Sequence, residues 1–521
     1  KKSCPDQDPV LRIETGMHTA EIHQIATDGA CTLLATASRD MTVRIWSQPD
    51  GRAKRVLRLP ISKESDGRAL AVALSPNRRW LAVSRGGGYS PNDGTKASIF
   101  LYSVVDNGEV EFARRFEFGS RAIALAFSGD GSKLAAAFKG PKGAGVVAGS
   151  QGLVVVETGS GRLLAADHDY GDDSYGVTFT PEGGLASVSW DGFVRRYGAD
   201  LKLAAKVKAP GNRSPYAITV DPSGRRIAVG SGGGTPVYIL DSKTLKVVAQ
   251  HGTITQDALR PVAWSRSGLL WVGGHYGGND SDDRRTTLLR ALRSDGSTAT
   301  EDPVVRSSDS VENLAPCGDD AVFATKRPEI GYVSEIGKAT MQQNSPAVQM
   351  RGKLGNAFTV SDDGTAVRFG LEYGDLEPVL FDLASARLDT SATPPKGLSK
   401  AKVDGLDVTN WMRRRDPALR GQPLKLDYNE TAVSLAIRSS ADGFLLGGSW
   451  YLHSFGSDGK VRWRSGVSAD VEGVNLAQGG KLVVAALADG TIRWYRWSDG
   501  KELLALFVHA LDKRWVAWTP S

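Results

Sequence analysis

The chain has 521 residues, too many for one compact core, so we expect several domains or one large closed architecture. Its 64 basic and 58 acidic residues give a net charge of +6, which is too dilute for a dedicated nucleic-acid binder. The 60 glycines and the 41% share of hydrophobic residues exclude a disordered or collagen-like chain and favour short strands joined by tight turns.

The composition also limits the membrane segments and disulfides that the chain can contain. No stretch is apolar for long enough to cross a membrane as a helix, so we expect no membrane partner. The first residue is lysine, and a targeting signal upstream of it would not be visible. The three cysteines, Cys4, Cys31 and Cys317, are too few for a disulfide framework. Their spacing leaves a Cys4–Cys31 bridge open in an oxidising compartment.

One short pattern recurs along the chain: a strand of alternating apolar and small residues, then Ser, Thr or Asp, then a turn rich in glycine. In chain order its clearest copies are IHQIATDG (22–29), AVALSPN (71–77), ALAFSGDG (124–131), GVTFTPEG (176–183), AITVDPSG (217–224), PVAWSRSG (261–268), AFTVSDDG (357–364), SLAIRSSADG (434–443), GVNLAQGG (473–480) and WVAWTPS (515–521). The turn residues Ser75, Ser128, Thr180, Asp221 and Ser265 lie 53, 52, 41 and 44 residues apart. A period of about 40–50 residues with alternating strands is typical of propeller blades.

The number of copies predicts an all-β fold of tandem β-propellers built from about 10–12 four-stranded blades. We expect residues 1–17 to form an N-terminal closing strand, 18–352 a first propeller of about seven blades, and 353–521 a second propeller. The segment PVLRIETG (9–16) is expected to complete the blade that opens at Trp515, so that the termini share one blade. On this interpretation the natural protein continues beyond Ser521.

Residues 389–428 interrupt the repeat, because the turns at Ser361 and Ser440 are 79 residues apart. The segment is rich in proline and contains the run Arg413, Arg414 and Arg415. Two interpretations remain: a protruding loop that binds a partner through these arginines, or a solvated crossover between two propellers. The same arginines support a weaker alternative, binding to nucleic acid or another acidic surface.

The first repeat contains His18 followed by SRDMTVRIW, which ends at Trp46. This pattern resembles the WD-repeat family, in which a His, a Ser or Thr, an Asp and a Trp form a buried hydrogen-bonded tetrad. The resemblance assigns these roles to His18, Ser38, Asp40 and Trp46. An Asp in a tight turn also accepts hydrogen bonds from backbone N–H groups. We therefore interpret the tetrad as a structural hydrogen-bond network, and His18 and Asp40 not as a catalytic pair.

Later repeats keep only part of this pattern. SWDGFVRRY retains Asp191, with Tyr197 where the Trp would lie, and ADGTIRWYRW retains Asp489, with Trp494 or Tyr495 in that place. Most other repeats lack both the His and the WD pair. The chain is therefore expected to consist of degenerate WD-type blades.

We interpret the other motifs that could bind a ligand as parts of strands and turns. The glycine tracts at 85–94 and 230–237 precede β-type segments and lack the lysine of a phosphate-binding loop. The acidic run NDSDD (279–283) lacks EF-hand spacing, and FGSDGKVRWRS (455–465) resembles a quinoprotein repeat but occurs once. Cys317 lies in a turn with no His nearby in sequence. We therefore predict no metal, no cofactor and no catalytic residue.

The stretch from VTNW (408–411) to the C-terminus is similar to the WD-repeat region of bacterial proteins that carry a caspase-like peptidase domain. The resemblance implies a non-catalytic scaffold for protein partners, among them a caspase-like peptidase domain or its substrates. It also implies export, with a cytoplasmic location as the alternative. The caspase signatures are absent from the sequence, so no peptidase activity is assigned to this chain. The functional alternative is a propeller hydrolase or quinoprotein-like oxidoreductase with a site in the central channel.

Overall fold

The computed structural model describes residues 13–59, 68–86, 97–105, 108–140, 152–212, 214–232, 236–252, 259–274, 278–279, 285–300, 304–305, 307, 309–350, 357–372, 375–390, 397–427 and 430–520. The chain divides into two compact units. The seven-bladed unit comprises Glu21–Ser62 and Asp66–Asn344, and the second unit comprises Lys1–Ala20, Lys63–Ser65 and Ser345–Ser521.

The described residues contain no α-helix, and single 3-10 turns lie at Pro210–Asn212 and Gln478–Gly480. Accordingly, this part of the chain has no helix with the length and apolar character needed to cross a membrane. The all-β prediction is confirmed.

In its described residues the seven-bladed unit contains seven successive antiparallel sheets and one small additional sheet beside the sixth, and six of these eight sheets have four strands. The first three consist of β1 (Ile22–Thr27), β2 (Leu33–Ser38), β3 (Thr42–Ser47) and β4 (Ala53–Arg58); β5 (Arg68–Leu74), β6 (Trp80–Gly86), β7 (Ala97–Val104) and β8 (Val110–Phe118); and β9 (Ala122–Phe127), β10 (Lys133–Phe138), β11 (Leu153–Glu157) and β12 (Leu163–Asp167). The fourth and fifth consist of β13 (Gly176–Phe179), β14 (Leu185–Ser189), β15 (Phe193–Tyr197) and β16 (Leu203–Lys208); and β17 (Pro215–Val220), β18 (Arg226–Ser231), β19 (Val237–Asp241) and β20 (Val247–His251).

The sixth sheet is the irregular one. It consists of β21 (Val262–Trp264), β22 (Leu270–Val272) and β25 (Arg290–Leu292), beside a small sheet of β23 (Gly278–Asn279), β24 (Arg285–Leu288) and β26 (Val304–Val305). The seventh consists of β27 (Val311–Cys317), β28 (Asp320–Thr325), β29 (Ile330–Val333) and β30 (Ala339–Gln343).

The first strands of the seven sheets form a closed ring. Strands β1, β5, β9, β13, β17, β21 and β27 each contact the next in this order, and β27 contacts β1. Sheets whose first strands surround one axis are the blades of a β-propeller. The predicted propeller fold is therefore present in this unit.

Apolar side chains fill the space between neighbouring blades. Between the first and second blades, for example, Leu33 and Ile45 pack with Val72 and Leu81. Because each inner strand is covered by a blade on either side, all six residues of β2 are buried, whereas β4 at the outer edge reads AKRVLR and is largely exposed. Burial in this blade is thus greatest in the two middle strands and lowest at the outer edge, as stacking of half-apolar sheets requires.

A disulfide joins the first and seventh blades. Cys31, in the turn after β1, is bonded to Cys317 at the end of β27, with 4.9 Å between the Cα atoms. Side-chain hydrogen bonds cross the same seam, among them the one from Gln342 Nε2 to Gln48 Oε1 at 2.9 Å. Both blades are built from continuous sequence, so the ring closes without exchange of a strand, and the disulfide supplies a covalent link at the closing point.

This pairing corrects the cysteine assignment that the spacing left open. Cys31 is bonded to Cys317, so the Cys4–Cys31 bridge is wrong, and Cys317 has no thiol to act as a nucleophile. The two bonded residues are 286 positions apart and become neighbours only because the ring closes. Cys4 lies outside the described residues.

The residue that follows the first strand closes the first hairpin in the first six blades. Its side-chain oxygen accepts a hydrogen bond from the backbone N–H at or next to the start of the second strand. The pairs are Asp28 with Leu33 (2.8 Å), Ser75 with Trp80 (2.9 Å), Ser128 with Lys133 (2.9 Å), Thr180 with Gly184 (3.1 Å), Asp221 with Arg226 (2.8 Å) and Ser265 with Leu269 (3.1 Å). This bond explains why Ser, Thr or Asp recurs at that point of the sequence repeat.

The same hairpin needs a residue with a left-handed backbone. Glycine meets this need at Gly131, Gly183, Gly224, Gly268 and Gly364, whose φ angles lie between 70° and 86°. Without a Cβ, glycine adopts this conformation at little cost. The predicted turn glycine Gly443 differs, since it begins a strand while Ala441 takes the left-handed conformation (φ 54°).

Replacing Ser128 by alanine is expected to destabilise the seven-bladed unit by about 1 kcal/mol, because the backbone N–H of Lys133 loses its acceptor in a part-buried turn. Urea denaturation of the purified chain measures the change. Ser214→Ala is the matched control, because Ser214 is exposed and its hydroxyl bonds to none of the described residues. Equal effects of the two substitutions would contradict the assigned role of Ser128.

In its described residues the second unit contains four sheets. They consist of β31 (Phe358–Ser361), β32 (Ala366–Gly370), β33 (Pro378–Asp382), β34 (Arg387–Asp389) and β35 (Leu398–Ser399); β36 (Val408–Thr409), β37 (Ala418–Leu419) and β38 (Gln422–Pro423); β39 (Ala432–Ile437), β40 (Gly443–Gly448), β41 (Tyr451–Gly456) and β42 (Val461–Gly466); and β43 (Val471–Ala477), β44 (Leu482–Leu487), β45 (Thr491–Arg496), β46 (Glu502–Val508) and β47 (Trp515–Trp518). Strand β43 contacts both β31 and β39, so three of these sheets pack side by side like blades. The predicted boundary at 352 and the total blade count stay predictions.

The part of the insertion that the structure describes from 397 to 427 is folded against a blade and does not protrude as a loop. Val408 of β36, Leu419 of β37 and Leu424, which follows β38, lie in one apolar cluster. The same cluster contains Phe444 and Leu446 of the β39–β42 blade. Burial of these apolar side chains explains why a segment with weak alternation is ordered.

The expected role of the C-terminal strand also needs correction. Strand β47 pairs antiparallel with β46, with Trp515 opposite Val508, so it extends the outer edge of an existing sheet and does not open a new blade. This pairing satisfies backbone groups that the edge of β46 would otherwise expose. The blade expected to be shared between the termini depends on residues 9–16, of which 9–12 lie outside the described residues, and 13–16 form no strand.

Candidate interaction surface on the rim of the seven-bladed unit

The predicted turn of the first blade joins β2 to β3. The Asp40 carboxylate accepts hydrogen bonds from the backbone N–H (2.9 Å) and hydroxyl (2.6 Å) of Thr42, and the Asp40 N–H donates to Ser38 Oγ at 3.1 Å. The indole N–H of Trp46 donates to Thr36 Oγ1 at 2.9 Å. Thr36, and not Ser38, is therefore the hydroxyl partner of Trp46. Residues two apart on a strand share a face, so the spacing alone did not separate them.

His18 is fully buried, as predicted for a tetrad member. It belongs to the second unit, whereas Ser38, Asp40 and Trp46 belong to the seven-bladed unit. Their membership of one network stays a prediction.

The fourth blade has the same turn with an ion pair buried beneath it. Asp191 accepts the backbone N–H of Phe193 at 3.1 Å, and the guanidinium of Arg195 bonds both carboxylate oxygens, at 3.2 and 2.5 Å. The Arg195 side chain is 1% exposed and its Cζ lies 3.9 Å from the ring centre of Tyr170. Burial opposes the charge of Asp191, but the hydrogen bond and positive charge of Arg195 outweigh it and lower the pKa of Asp191.

Tyr197 takes the place that Trp46 has in the first blade. The hydroxyl of Tyr170 bonds Ser187 Oγ at 2.6 Å and the Tyr197 hydroxyl at 2.8 Å, and Tyr197 donates to Asp167 at 2.7 Å. Burial raises the pKa of Tyr170 to about 12. The network is closed by its own members, which supports a structural role.

The last blade of the second unit repeats the arrangement. Asp489 accepts the backbone N–H of Thr491 at 3.0 Å, and Arg493 bonds Glu502 at 2.9 Å. Tyr495 pairs with the second residue of its neighbouring strand, as Trp46 does in the first blade, so Tyr495 and not Trp494 holds the Trp position.

An arginine four residues after the turn Asp was not predicted. It is buried in all three blades, as Arg44, Arg195 and Arg493. The spacing Asp-x-x-x-Arg was visible in the sequence and could have been found by aligning the three turns. On a strand this spacing places the two side chains on one face, where the arginine can neutralise the turn carboxylate.

The arginine run of the insertion is paired within the chain. Arg413 bonds Glu472 at 2.6 Å, and Arg414 bonds the exposed Asp416 at 3.1 Å. Arg415 is exposed and also makes a contact within the protein. A role of these arginines in partner binding stays a prediction.

A further cluster, not predicted from the sequence, lies where the first strands of four neighbouring blades begin. We call it the rim cluster and define it as Tyr175, Trp190, Tyr216, Arg260 and Glu312. Tyr175 and Arg260 precede β13 and β21, Tyr216 and Glu312 are second in β17 and β27, and Trp190 is in the β14–β15 turn. In an antiparallel blade these positions share one face, so the cluster follows one mouth of the central channel.

The rim cluster is a continuous stack that ends in an ion pair. The ring centres of Trp190 and Tyr175 are 4.5 Å apart, and Tyr175 stacks on Tyr216 at 4.8 Å. The guanidinium carbon of Arg260 lies 5.6 Å from the Tyr216 ring centre, and Arg260 Nη1 is 3.5 Å from a Glu312 carboxylate oxygen. Offset aromatic stacking and cation–π contact each add specific stabilisation to such an arrangement.

Partial burial of the rim cluster raises the pKa of two of its members. Burial raises the pKa of Glu312, with the negative charge of Glu21 acting in the same direction and the hydrogen bond from Ser310 and the charge of Arg260 acting against it. Burial likewise raises the pKa of Tyr216 to about 12. Two members remain accessible: Trp190 is 40% exposed and the Arg260 side chain 41%.

Known proteins resemble parts of this chain. Residues 12–47 match the family model described as WD domain, G-beta repeat. The first blade is therefore similar to a WD repeat. Among solved structures, the chain is similar to the β-propeller domain of Cps50 (Swd1) from Myceliophteria thermophila, with 13% identity and a TM-score of 0.44 over 59% of this chain and 94% of that one. No curated protein sequence matches the chain.

Propellers built from WD repeats commonly serve as scaffolds for protein interaction. In the described parts of this chain, no three His, Cys, Asp or Glu side chains form a group that could hold a metal ion. Of the acidic run 279–283 only Asn279 is among the described residues, and the glycine tracts at 85–94 and 230–237 also lie partly outside them.

Proposed function

We propose that this chain is a non-catalytic scaffold that binds a protein partner through the rim cluster of the seven-bladed unit. The observation that carries the proposal is the exposed pair Trp190 and Arg260 on a stack of packed side chains. Trp and Arg are the residue types that contribute most to protein interfaces. Because neighbouring rings already hold them in place, little side-chain freedom is lost when a partner binds.

The chemistry of the pair indicates the kind of segment that would bind. Trp190 offers an apolar ring, and Arg260 retains N–H donors beyond its 3.5 Å contact with Glu312. Because the rings of Tyr175 and Tyr216 lie between them, a peptide with an apolar side chain a few residues away from a carboxylate satisfies both. Because the rim cluster extends over four blades, its length suits a short peptide in an extended conformation.

We further propose that the scaffold accompanies a caspase-like peptidase in an oxidising, exported location. The resemblance of the stretch from 408 to the C-terminus supports the first part. The Cys31–Cys317 disulfide supports the second, because structural disulfides persist in oxidising compartments. Sequencing the reading frame on both sides of this chain tests the peptidase link, and a frame without a peptidase domain, beside genes that also lack one, would contradict it.

The binding role of the rim is tested with Trp190→Ala. A peptide selected from an array with the wild-type chain is labelled, and its affinity is measured by fluorescence polarisation. Truncation of an interface tryptophan costs about 2 kcal/mol or more, which is roughly a 30-fold loss of affinity. Arg260→Ala is expected to weaken binding to a comparable degree.

Trp515→Ala is the matched control, because Trp515 is similarly exposed (37%) but lies in the second unit. It is expected to leave the affinity within twofold of wild type. Unchanged affinity in both Trp190→Ala and Arg260→Ala would refute the rim as the binding surface.

A further inference from the structure

The ion pair between Glu312 and Arg260 in the rim cluster is loose and unequally exposed. The Glu312 side chain is 17% exposed and the Arg260 side chain 41%. One Glu312 oxygen accepts a hydrogen bond from the Ser310 hydroxyl at 2.6 Å, but the carboxylate lies 3.5 Å from Arg260 Nη1, which is longer than an ordinary hydrogen bond. In the buried ion pair of the fourth blade the corresponding distance is 2.5 Å. Arg260 is therefore close enough to offset the charge of Glu312 but is not bound tightly to it.

The negative charge of Glu312 is disfavoured in its surroundings. Burial raises the pKa of Glu312, and the negative charge of Glu21 acts in the same direction. The hydrogen bond from Ser310 and the positive charges of Arg260 and Lys326 act against this increase without cancelling it. The ionisable side chains on the neighbouring strands and turns are those of Glu21, His23, Tyr216, Arg260 and Lys326. Any further negative charge at this place makes protonation of Glu312 more favourable.

A second carboxylate at Arg260 supplies such a charge. The Arg260 side chain is accessible to a carboxylate of a partner, so that two carboxylates would share one guanidinium. Both cannot stay ionised at low cost, because their charges repel each other. The partner's carboxylate keeps contact with water, whereas Glu312 is largely buried. The proton therefore goes to Glu312.

We propose that binding of a partner's carboxylate to Arg260 is coupled to the uptake of one proton from the solvent by Glu312. This coupling rests on the proposed function, because it requires the partner to bind at the rim cluster. The guanidinium has one ionised carboxylate as its counter-ion before and after binding, so no charge is left without a partner. The rim is thus a pH-dependent binding surface for acidic segments.

The direction of the pH dependence follows from the proton balance. The complex holds one proton more than the free protein and peptide, so the affinity increases as the pH falls from the pKa of Glu312 in the complex to its lower pKa in the free protein. Above this interval the affinity is constant. Below about pH 4 it decreases, because the carboxylate of the peptide is itself protonated. A difference of one unit between the two pKa values corresponds to a gain in affinity of about tenfold.

The coupling is tested with the labelled peptide selected on the array and with the same peptide after its acidic residue is replaced by the amide. For the wild type we expect the affinity of the acidic peptide, measured by fluorescence polarisation, to increase roughly tenfold between about pH 8 and about pH 5.5. The amide peptide is expected to bind equally at both pH values. Glu312→Gln is expected to bind the acidic peptide equally at both, because the glutamine side chain takes up no proton.

Two variants control for other causes of a pH effect. Glu335→Gln makes the same substitution at an exposed position in the turn between β29 and β30, at the opposite end of the seventh blade. His23→Gln removes a histidine of β1, a residue type that ordinarily titrates near about pH 6.5. Both variants are expected to keep the pH dependence of the wild type. A pH dependence that is lost in His23→Gln and kept in Glu312→Gln would overturn the assignment of the proton to Glu312.

A second measurement uses only the wild type, so it does not depend on how the variants fold. Calorimetric titration with the acidic peptide in buffers of different ionisation enthalpy is expected to show net proton uptake in the pH interval where the affinity changes. Absence of proton uptake would overturn the coupling but leave the rim cluster as the binding surface. If Arg260→Ala binds the acidic peptide as tightly as the wild type, both the coupling and the proposed role of Arg260 are refuted.

Discussion

Removal of the Cys31–Cys317 disulfide is expected to cause the largest loss of stability of any change to two side chains in the seven-bladed unit. The bond closes a loop of 286 residues. In the chain-entropy account a disulfide that closes a loop of this length destabilises the unfolded chain by about 6 kcal/mol. The double variant Cys31→Ser/Cys317→Ser is therefore expected to unfold at a clearly lower urea concentration than the wild type.

The position of the bond adds a second reason for a large effect. In this ring the first and seventh blades are each made of continuous sequence, so no exchanged strand ties them together. Hydrogen bonds such as the one between Gln342 and Gln48 cross the seam, but each is worth only about 1 kcal/mol. Without the disulfide, opening at this seam is expected to precede global unfolding, which hydrogen exchange in β1 and β27 would detect.

Cys4→Ser provides the control for the disulfide experiment. It removes the third cysteine of the chain and is expected to leave the urea midpoint unchanged in the absence of reductant. Thiol titration of the denatured, unreduced wild type should detect one reactive cysteine of the three. Detection of three thiols, or equal midpoints for the double variant and the wild type, would show that the bond does not stabilise the protein.

The Cys31–Cys317 disulfide is an example of a contact that could not be predicted from the sequence. The hairpin turns could be predicted because each depends on local residues: Ser128 bonds Lys133 only five positions away. Ring closure is a property of seven blades together, so no local pattern indicated that Cys31 would meet Cys317. For the same reason, β47 could not be distinguished from the first strand of a new blade, because its alternation fits either edge of a sheet.

The candidate site likewise contains residues that could be predicted from the sequence and residues that could not. The turn residues Asp40, Asp191 and Asp489 were found because the motif is continuous in sequence. The rim cluster was not found, because Trp190 and Arg260 come from blades four and six and have no motif in common. Their relation exists only in the ring, where the beginnings of neighbouring first strands are brought together.

Asp191→Ala is expected to be the most damaging single substitution at a blade turn, with a loss of about 3–5 kcal/mol. It would leave the Arg195 guanidinium, which is 1% exposed, without its carboxylate partner, and an unpaired buried charge carries a cost of this size. It would also remove the acceptor for the backbone N–H groups of Phe193 and Gly171. Urea denaturation at neutral pH measures the loss.

A second variant tests whether the unpaired charge of Arg195, and not the missing turn acceptor, causes most of the loss of stability in Asp191→Ala. In Asp191→Ala/Arg195→Leu the turn still lacks its acceptor, but no charge is buried without a partner. If the buried charge dominates, this double variant must be more stable than Asp191→Ala alone, even though it carries one more substitution. Asp200→Asn, which removes an exposed carboxylate from the same blade, is expected to change stability by less than about 0.5 kcal/mol.

The pH dependence provides an independent check on the same ion pair. Because the pKa of Asp191 is lowered in the folded protein, its stabilising contribution is present above the ordinary aspartate pKa of about 4 and is lost as the pH falls towards the lower folded value. The stability difference between the wild type and Asp191→Ala should therefore shrink on acidification. A difference that stays constant from neutral to strongly acidic pH would mean that the carboxylate acts through its shape or hydrogen bonds and not through its charge.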